Sequence, residues 1–156
     1  MKKFALILLV LFTTQITVFA DDLTTVKGLF NQYVKAANTY NPSLLNYYSP
    51  NAKIIRQVVK PNGELVNATT NMQTYAKQMK ISQGTAKVRH YTNKYSNISA
   101  TQTNRGVKIS ALRQPMKESY WLKTYQIWQK QSNGSWKIVE EMMQTKEQIF
   151  LHYADK

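Results

Sequence analysis

The sequence predicts an α+β domain in which N-terminal helices pack against a mostly antiparallel sheet. Three observations carry this expectation. Residues 22–40 and 72–79 repeat their apolar positions at helical spacing. Almost everything after residue 85 reads as strands separated by turns. Two Asn-Gly pairs, Asn62-Gly63 and Asn133-Gly134, join β-rich runs, where a hairpin turn needs residues that accept positive φ.

The first twenty residues stand apart from this domain. Lys2 and Lys3 precede the apolar run "FALILLVLF", and "VFA" ends at Ala20. Those are the parts of a secretory signal peptide over 1–20, with the domain over 21–156. The apolar core is shorter than the roughly 20 residues of a membrane span. No transmembrane segment is therefore expected after cleavage. The expected localisation is export, periplasmic or secreted, from a bacterial source.

Leu23, Val26, Phe30, Tyr33, Val34, Ala37 and Tyr40 give the first helix one apolar stripe, and Asn41-Pro42 ends it. Ser43 opens a short second helix, "SLLNYY". "KIIRQVV" is a β-branched strand, "KPNGEL" its turn and "ELV" the start of the return. Thr70-Asn71-Met72-Gln73 fits a capping box ahead of Met72, Tyr75, Ala76 and Met79, with Gly84 closing that helix. "AKVRHYTNKYSNIS" predicts a long strand bent near Ser96-Asn97, "NRG" a turn and "VKISALR" the return. "YWLKTYQIWQKQ" and "SWKIVEEMMQT" predict the last hairpin, and "KEQIFLHYA" a short helix or tail.

That last hairpin has large apolar groups on both faces. A two-residue turn at Asn133-Gly134 pairs Ile127 with Glu140, Tyr125 with Met142, Trp128 with Val139 and Lys130 with Lys137. Leu122, Trp128, Val139 and Met143 then share one side; Trp136, Ile138, Tyr125, Ile127 and Met142 share the other. A sheet with one wet face does not carry that pattern. One side takes the helices. A second copy of the chain is expected over Leu122, Trp128, Val139 and Met143, unless the C-terminal segment folds back there.

Composition narrows the chemistry. The chain has no cysteine and only two histidines, His90 and His152, so no thiol chemistry and no metal site are expected. It has no Gly-rich phosphate loop and no nucleophile elbow, and no cofactor is expected. Without Lys2 and Lys3, 19 Lys and Arg stand against 8 Asp and Glu, a net of +11. The positive charges are scattered singly. They favour anionic neighbours without specifying nucleic acid, which is not an expected partner.

The opening helix, "LLNYYSPNAKII", "PNGELV", the next helix and "YQIWQKQSNGSWKIVEE" together resemble the nuclear transport factor 2-like superfamily, with its SnoaL-like and ketosteroid-isomerase-like members. The resemblance covers nearly all of 22–146. It implies a curved sheet wrapped around the helices as a cone-shaped α+β barrel, with a cavity at one end and frequent dimerisation through the sheet. It implies that Trp136 and Ile138 look into the cone. Glu140 and Met142 would then line the cavity beside Tyr125 and Ile127. Tyr33 and Tyr48 are further candidates for that lining, as is His90, which alternates with Val88 and Thr92.

Three functions remain open on these residues. The first is an exported, non-catalytic module that binds a small apolar ligand or assembles as a homodimer. The second is an isomerase or lyase in which a desolvated Glu140 acts as general base with tyrosine donors. The third is an electrostatic binder of anionic envelope polymers. The isomerase arrangement of two carboxylates does not map onto this acid-poor chain.

Overall fold

We describe the protein from a computed structural model, which covers residues 2–154, with side chains for residues 20–152 and 154. The expected leader, residues 1–20, lies outside the described side chains except for Ala20. Helix α1 (Lys2–Asn38) leads into a 3₁₀ helix (Pro42–Tyr47). Strands β1 (Tyr48–Val59) and β2 (Leu65–Asn71), helix α2 (Met72–Val88), and strands β3 (Asn93–Thr103), β4 (Gly106–Pro115), β5 (Leu122–Lys130) and β6 (Trp136–Thr145) follow. A second 3₁₀ helix (Gln148–Tyr153) ends the described chain. Among the described residues no helix is long and apolar enough to cross a membrane.

The strands form one six-stranded sheet in the order β2-β1-β6-β5-β4-β3. Only β1 and β6 run parallel; the other neighbours are antiparallel. The α+β expectation holds, but the sheet stays open, with β2 and β3 as edges, rather than closing as a barrel. Register shifts between Tyr48 and Lys53 in β1, between Ser96 and Ser99 in β3 and between Ile138 and Glu140 in β6 interrupt the ladders. Extra residues of this kind bend and twist a strand, so the sheet curls around α1. The β3 shift falls where the sequence predicts a bend, and Asn97 takes a φ of 53° there.

The helical stripe behaves as its spacing predicts. Val26, Phe30, Tyr33 and Ala36 of α1 are buried against Ile54, Val107, Ile109, Trp128 and Ile138 of the sheet. Asn38 ties the end of α1 to the start of β3, donating to the Asn93 carbonyl at 3.0 Å and accepting from its amide at 2.9 Å. At the β3–β4 turn, Gly106 has a φ of +122°, and a Cβ there would lie 2.1 Å from the Trp128 carbonyl oxygen. The backbone of β5 passes too close for any side chain.

Two local expectations are corrected. Asn71, not Thr70, caps α2, its side chain accepting from the Thr74 amide at 2.9 Å. That helix also runs through Gly84 to Val88, so Ala86–Val88 are helical rather than strand. One glycine costs a helix about 1 kcal/mol, less than the packing of Met72 and Tyr75 supplies. His90 consequently sits in the turn after α2, exposed and at a φ of 52°.

The last hairpin differs more. Gln131 pairs with Ser135 and the Gly134 amide donates to the Gln131 carbonyl, so three residues, not two, make the turn. Trp128 then faces Ile138 and Lys130 faces Trp136. Val139 is an extra residue on β6, and beyond it the expected pairs return: Ile127 with Glu140, Gln126 with Glu141, Tyr125 with Met142. The offset avoids the opposed lysines and lays the Lys130 ammonium 5.8 Å from the Trp136 ring centroid.

Candidate functional site

The bulge at Val139 decides which groups enter the cone. Before it, Trp136 and Ile138 face the helices, as expected. After it, the inward positions are Glu141, Met143 and Thr145, while Glu140 and Met142 turn to the outer face. The inward positions of β5 are Leu122, Thr124, Gln126 and Trp128. Trp128 is fully buried beneath the helices, with its indole Nε1 donating to Gln126 Oε1 at 3.1 Å. Leu122 is buried, Met143 lines the cavity and Val139 occupies the bulge. The four residues expected beneath a second subunit therefore do not form a shared outer surface.

Glu141 is fully buried at the centre of the inner face. Its Oε2 accepts from Tyr48 Oη at 2.6 Å, Gln126 Nε2 at 2.9 Å and Tyr33 Oη at 3.0 Å. Its Oε1 accepts from Arg56 Nη1 at 3.1 Å. Each phenol has one proton. With Tyr48 donating to Glu141, its oxygen is free to accept from Tyr75 Oη, 3.4 Å away. The four elements α1, β1, β5 and β6 are thus joined through one carboxylate. Burial, then the Glu141 charge, pushes the Tyr33 and Tyr48 phenols well above their ordinary value of 10. The same two causes raise Tyr75 against a partial offset from Arg56, and burial raises Tyr95. Burial alone would lower Arg56, but Glu141 and the tyrosines outweigh it and hold the guanidinium above its usual value.

Above this network lies a cavity of about 310 Å³. Tyr33, Leu44, Tyr75 and Met79 form one side; Arg56, Tyr95, Arg113 and Met143 form the sheet side; Tyr91, Gln83 and Phe150 stand at other parts of the lining. Glu141 is absent from the lining, because Tyr33 and Arg56 lie between it and the space. Of the expected ligand-binding residues, Tyr33 is in the cavity wall and Tyr48 is behind it in the network. His90 is outside it, in the turn after α2.

Tyr125, Ile127, Glu140 and Met142 are together, but on the outer face. Glu140 accepts from Arg105 Nη1 at 2.9 Å and from Tyr125 Oη at 2.8 Å. Partial burial favours its neutral form, but the bonds from Arg105 and Tyr125 and the charges of Arg105 and Lys53 win, and its pKa falls below the ordinary value. Tyr125 is pushed up to about 12 by burial and by the Glu140 bond. A general base needs the opposite shift. Glu140 is an ion-paired residue, with Arg105 as its partner.

Sequence reasoning missed Glu141, Arg56, Tyr75, Tyr95 and Arg113. Tyr75 already lies on the apolar stripe read for α2, and two others carry a readable signal. Arg56 alternates with Ile54 and Val58, and Arg113 with Val107, Ile109 and Ala111, so each guanidinium occupies the inward parity of an apolar strand. Glu141 carries none, because its parity depends on the bulge. Among the described residues no group of three or more His, Cys, Asp or Glu is placed to hold a metal.

No protein-family model matches the sequence, and no curated protein does. Solved structures do. A protein of unknown function from Pectobacterium atrosepticum is similar at 17% identity and a TM-score of 0.60, over 80% of this chain and 91% of that one. The yeast UBP3-associated protein BRE5 gives 20% identity and 0.57, over 76% and 91%. An NTF2-like protein with a cystatin-like fold from Novosphingobium aromaticivorans gives 8% and 0.58, over 87% and 88%. With a bulged, open sheet curled around α1 and a cavity at one end, this chain has the nuclear transport factor 2-like fold.

Proposed function

We propose that the protein is an exported, non-catalytic module that binds a small, largely apolar ligand in the cone. The observation that carries this reading is the 310 Å³ cavity walled by tyrosines, Leu44, Met79, Met143 and Phe150. Polar side chains, Arg56, Gln83, Asn93 and Arg113 among them, set between apolar and aromatic walls give a small molecule both contact area and orientation. The inner carboxylate argues against a catalytic base. Glu141 has four donors on its two oxygens and is screened from the cavity, so a substrate proton has no path to it. Titration with 4-phenylbutan-1-ol, followed by the methionine methyl resonances, tests the reading. Met79 and Met143 are expected to shift and Met142, on the outer face, to stay. Shifts confined to Met142, or none, would remove it.

We further propose a homodimer through the outer face. A shallow depression of about 400 Å³ lies there, lined by Leu112, Tyr125 and Met142 together with Lys108 and Lys123, beside Ile55 and Ile127, and it is the surface a second copy would cover. Protein recovered from its export compartment is expected to have lost residues 1–20 and to scatter light as two chains. The variant Met142→Glu should scatter as one. A full-length chain that stays monomeric at all concentrations would refute both export and pairing.

A further inference from the structure

Among the described residues, the cavity wall holds two guanidinium groups, the part-buried Arg56 and the buried Arg113, and only Arg56 has a counter-charge. Arg56 is paired with Glu141 at 3.1 Å. Arg113 is 7% exposed, and both its bonded acceptors are neutral: Nη1 donates to Asn93 Oδ1 at 2.7 Å and Nη2 to the Gln144 carbonyl at 2.8 Å. Among the described residues its Nε, sealed from solvent, has no acceptor and Arg113 joins no ion pair, which leaves the Nη groups to meet a ligand. The acid of the cavity lining, Glu147, is exposed to solvent. Arginine does not shed its proton, so the fold keeps a positive charge at the cavity wall whose bonded acceptors, among the described residues, are neutral. Such an arrangement is unfavourable until an anion arrives.

We propose that the cavity selects an organic monocarboxylate, with its carboxylate beside Arg113 and an aryl or branched alkyl body against Tyr95, Met79, Met143 and Phe150. This rests on the ligand-binding reading and names the class of ligand. The charge count sets the valence. A monoanion neutralises Arg113 alone, whereas a phosphate dianion leaves a surplus negative charge in a space whose other cation is already committed to Glu141. Arg113 is also held in place before binding. Asn93 fixes one edge of its guanidinium, and Asn93 is itself clamped by Asn38 of α1. A carboxylate meeting a fixed guanidinium gains a charge-assisted bond with little ordering cost.

The test is a matched pair, 4-phenylbutyrate against 4-phenylbutan-1-ol, titrated calorimetrically into the full protein. The carboxylate is expected to bind roughly 10- to 100-fold more tightly, the range of a hydrogen bond to a charged group. Arg113→Gln should bring the ratio close to one, Arg113→Lys should keep a preference for the acid, and Arg105→Gln on the outer face should leave the ratio unchanged. Equal affinities in the wild type overturn the anion and leave the ligand-binding reading standing. Binding of neither compound overturns both. The wild-type ratio decides the matter even where Arg113→Gln does not fold.

Discussion

Glu141→Gln is expected to destabilise the protein by about 3–5 kcal/mol, the range for breaking a buried ion pair from one side. The substitution keeps the shape and removes what the site uses. Glu141 presents two acceptor oxygens to four donors. A glutamine presents one oxygen and an amino group. With its oxygen toward Tyr33, Tyr48 and Gln126, the amino group meets the Arg56 guanidinium. Flipped, it meets the three other donors. Either way a buried donor faces a donor. The adjacent Glu140→Gln provides the comparison. Its partner Arg105 is 49% exposed, so that pair is expected to contribute less than about 1 kcal/mol. Urea unfolding of the two variants decides the issue. Equal losses would mean that Glu141 is not the junction the geometry makes it. Adding Arg56→Met to Glu141→Gln should recover part of the loss, because the unpaired cation leaves with it.

The second large effect is expected in alkali. Tyr33, Tyr48, Tyr75 and Tyr95 are all raised above 10 in the folded protein. In the unfolded chain each ionises near pH 10. Above that pH the folded state therefore holds more protons than the unfolded one, and stability falls as pH rises. The contribution is whole below about pH 10. Each fully differential phenol removes about 1.4 kcal/mol per pH unit, so four acting together approach ~5 kcal/mol per unit. The protein should unfold cooperatively between roughly pH 10 and 12, where that slope exhausts ordinary domain stability. A main step of tyrosinate absorbance at 295 nm should coincide with loss of the far-ultraviolet dichroism. Full tyrosine ionisation with the dichroism intact would show that the inner phenols reach water in the native state, and the description of the core would fail.

The two predictions draw on one buried network, whose members differ in how openly the sequence declares them. Tyr33 follows Val26 and Phe30 along a helical stripe, so its burial is visible in the spacing. Arg56 and Arg113 sit at alternate positions of apolar strands, and that pattern is equally visible once a strand is assigned. His90 misled because the helix before it ran further than Gly84 suggested. Glu140 misled because it has the right neighbours, Tyr125 and Ile127, on a face that points the other way.

The sequence by itself determined the order of the elements, the apolar stripe of α1, the hairpin sites at Asn62-Gly63 and Asn133-Gly134, the bend at Asn97 and the absence of cysteine chemistry. These follow from local sterics and from periods of 3.6 and 2, which few residues suffice to set. Only the tertiary structure decided between Glu140 and Glu141. A three-residue turn shifted β6 by one position against β5, which placed Trp136 rather than Lys137 opposite Lys130. The bulge at Val139 then restored the register. Because side chains alternate along a strand, one extra residue exchanges the faces of all that follow. Its cost is local, whereas its gain, Trp128 and Ile138 in the core and Glu141 among its four donors, is collected from across the fold.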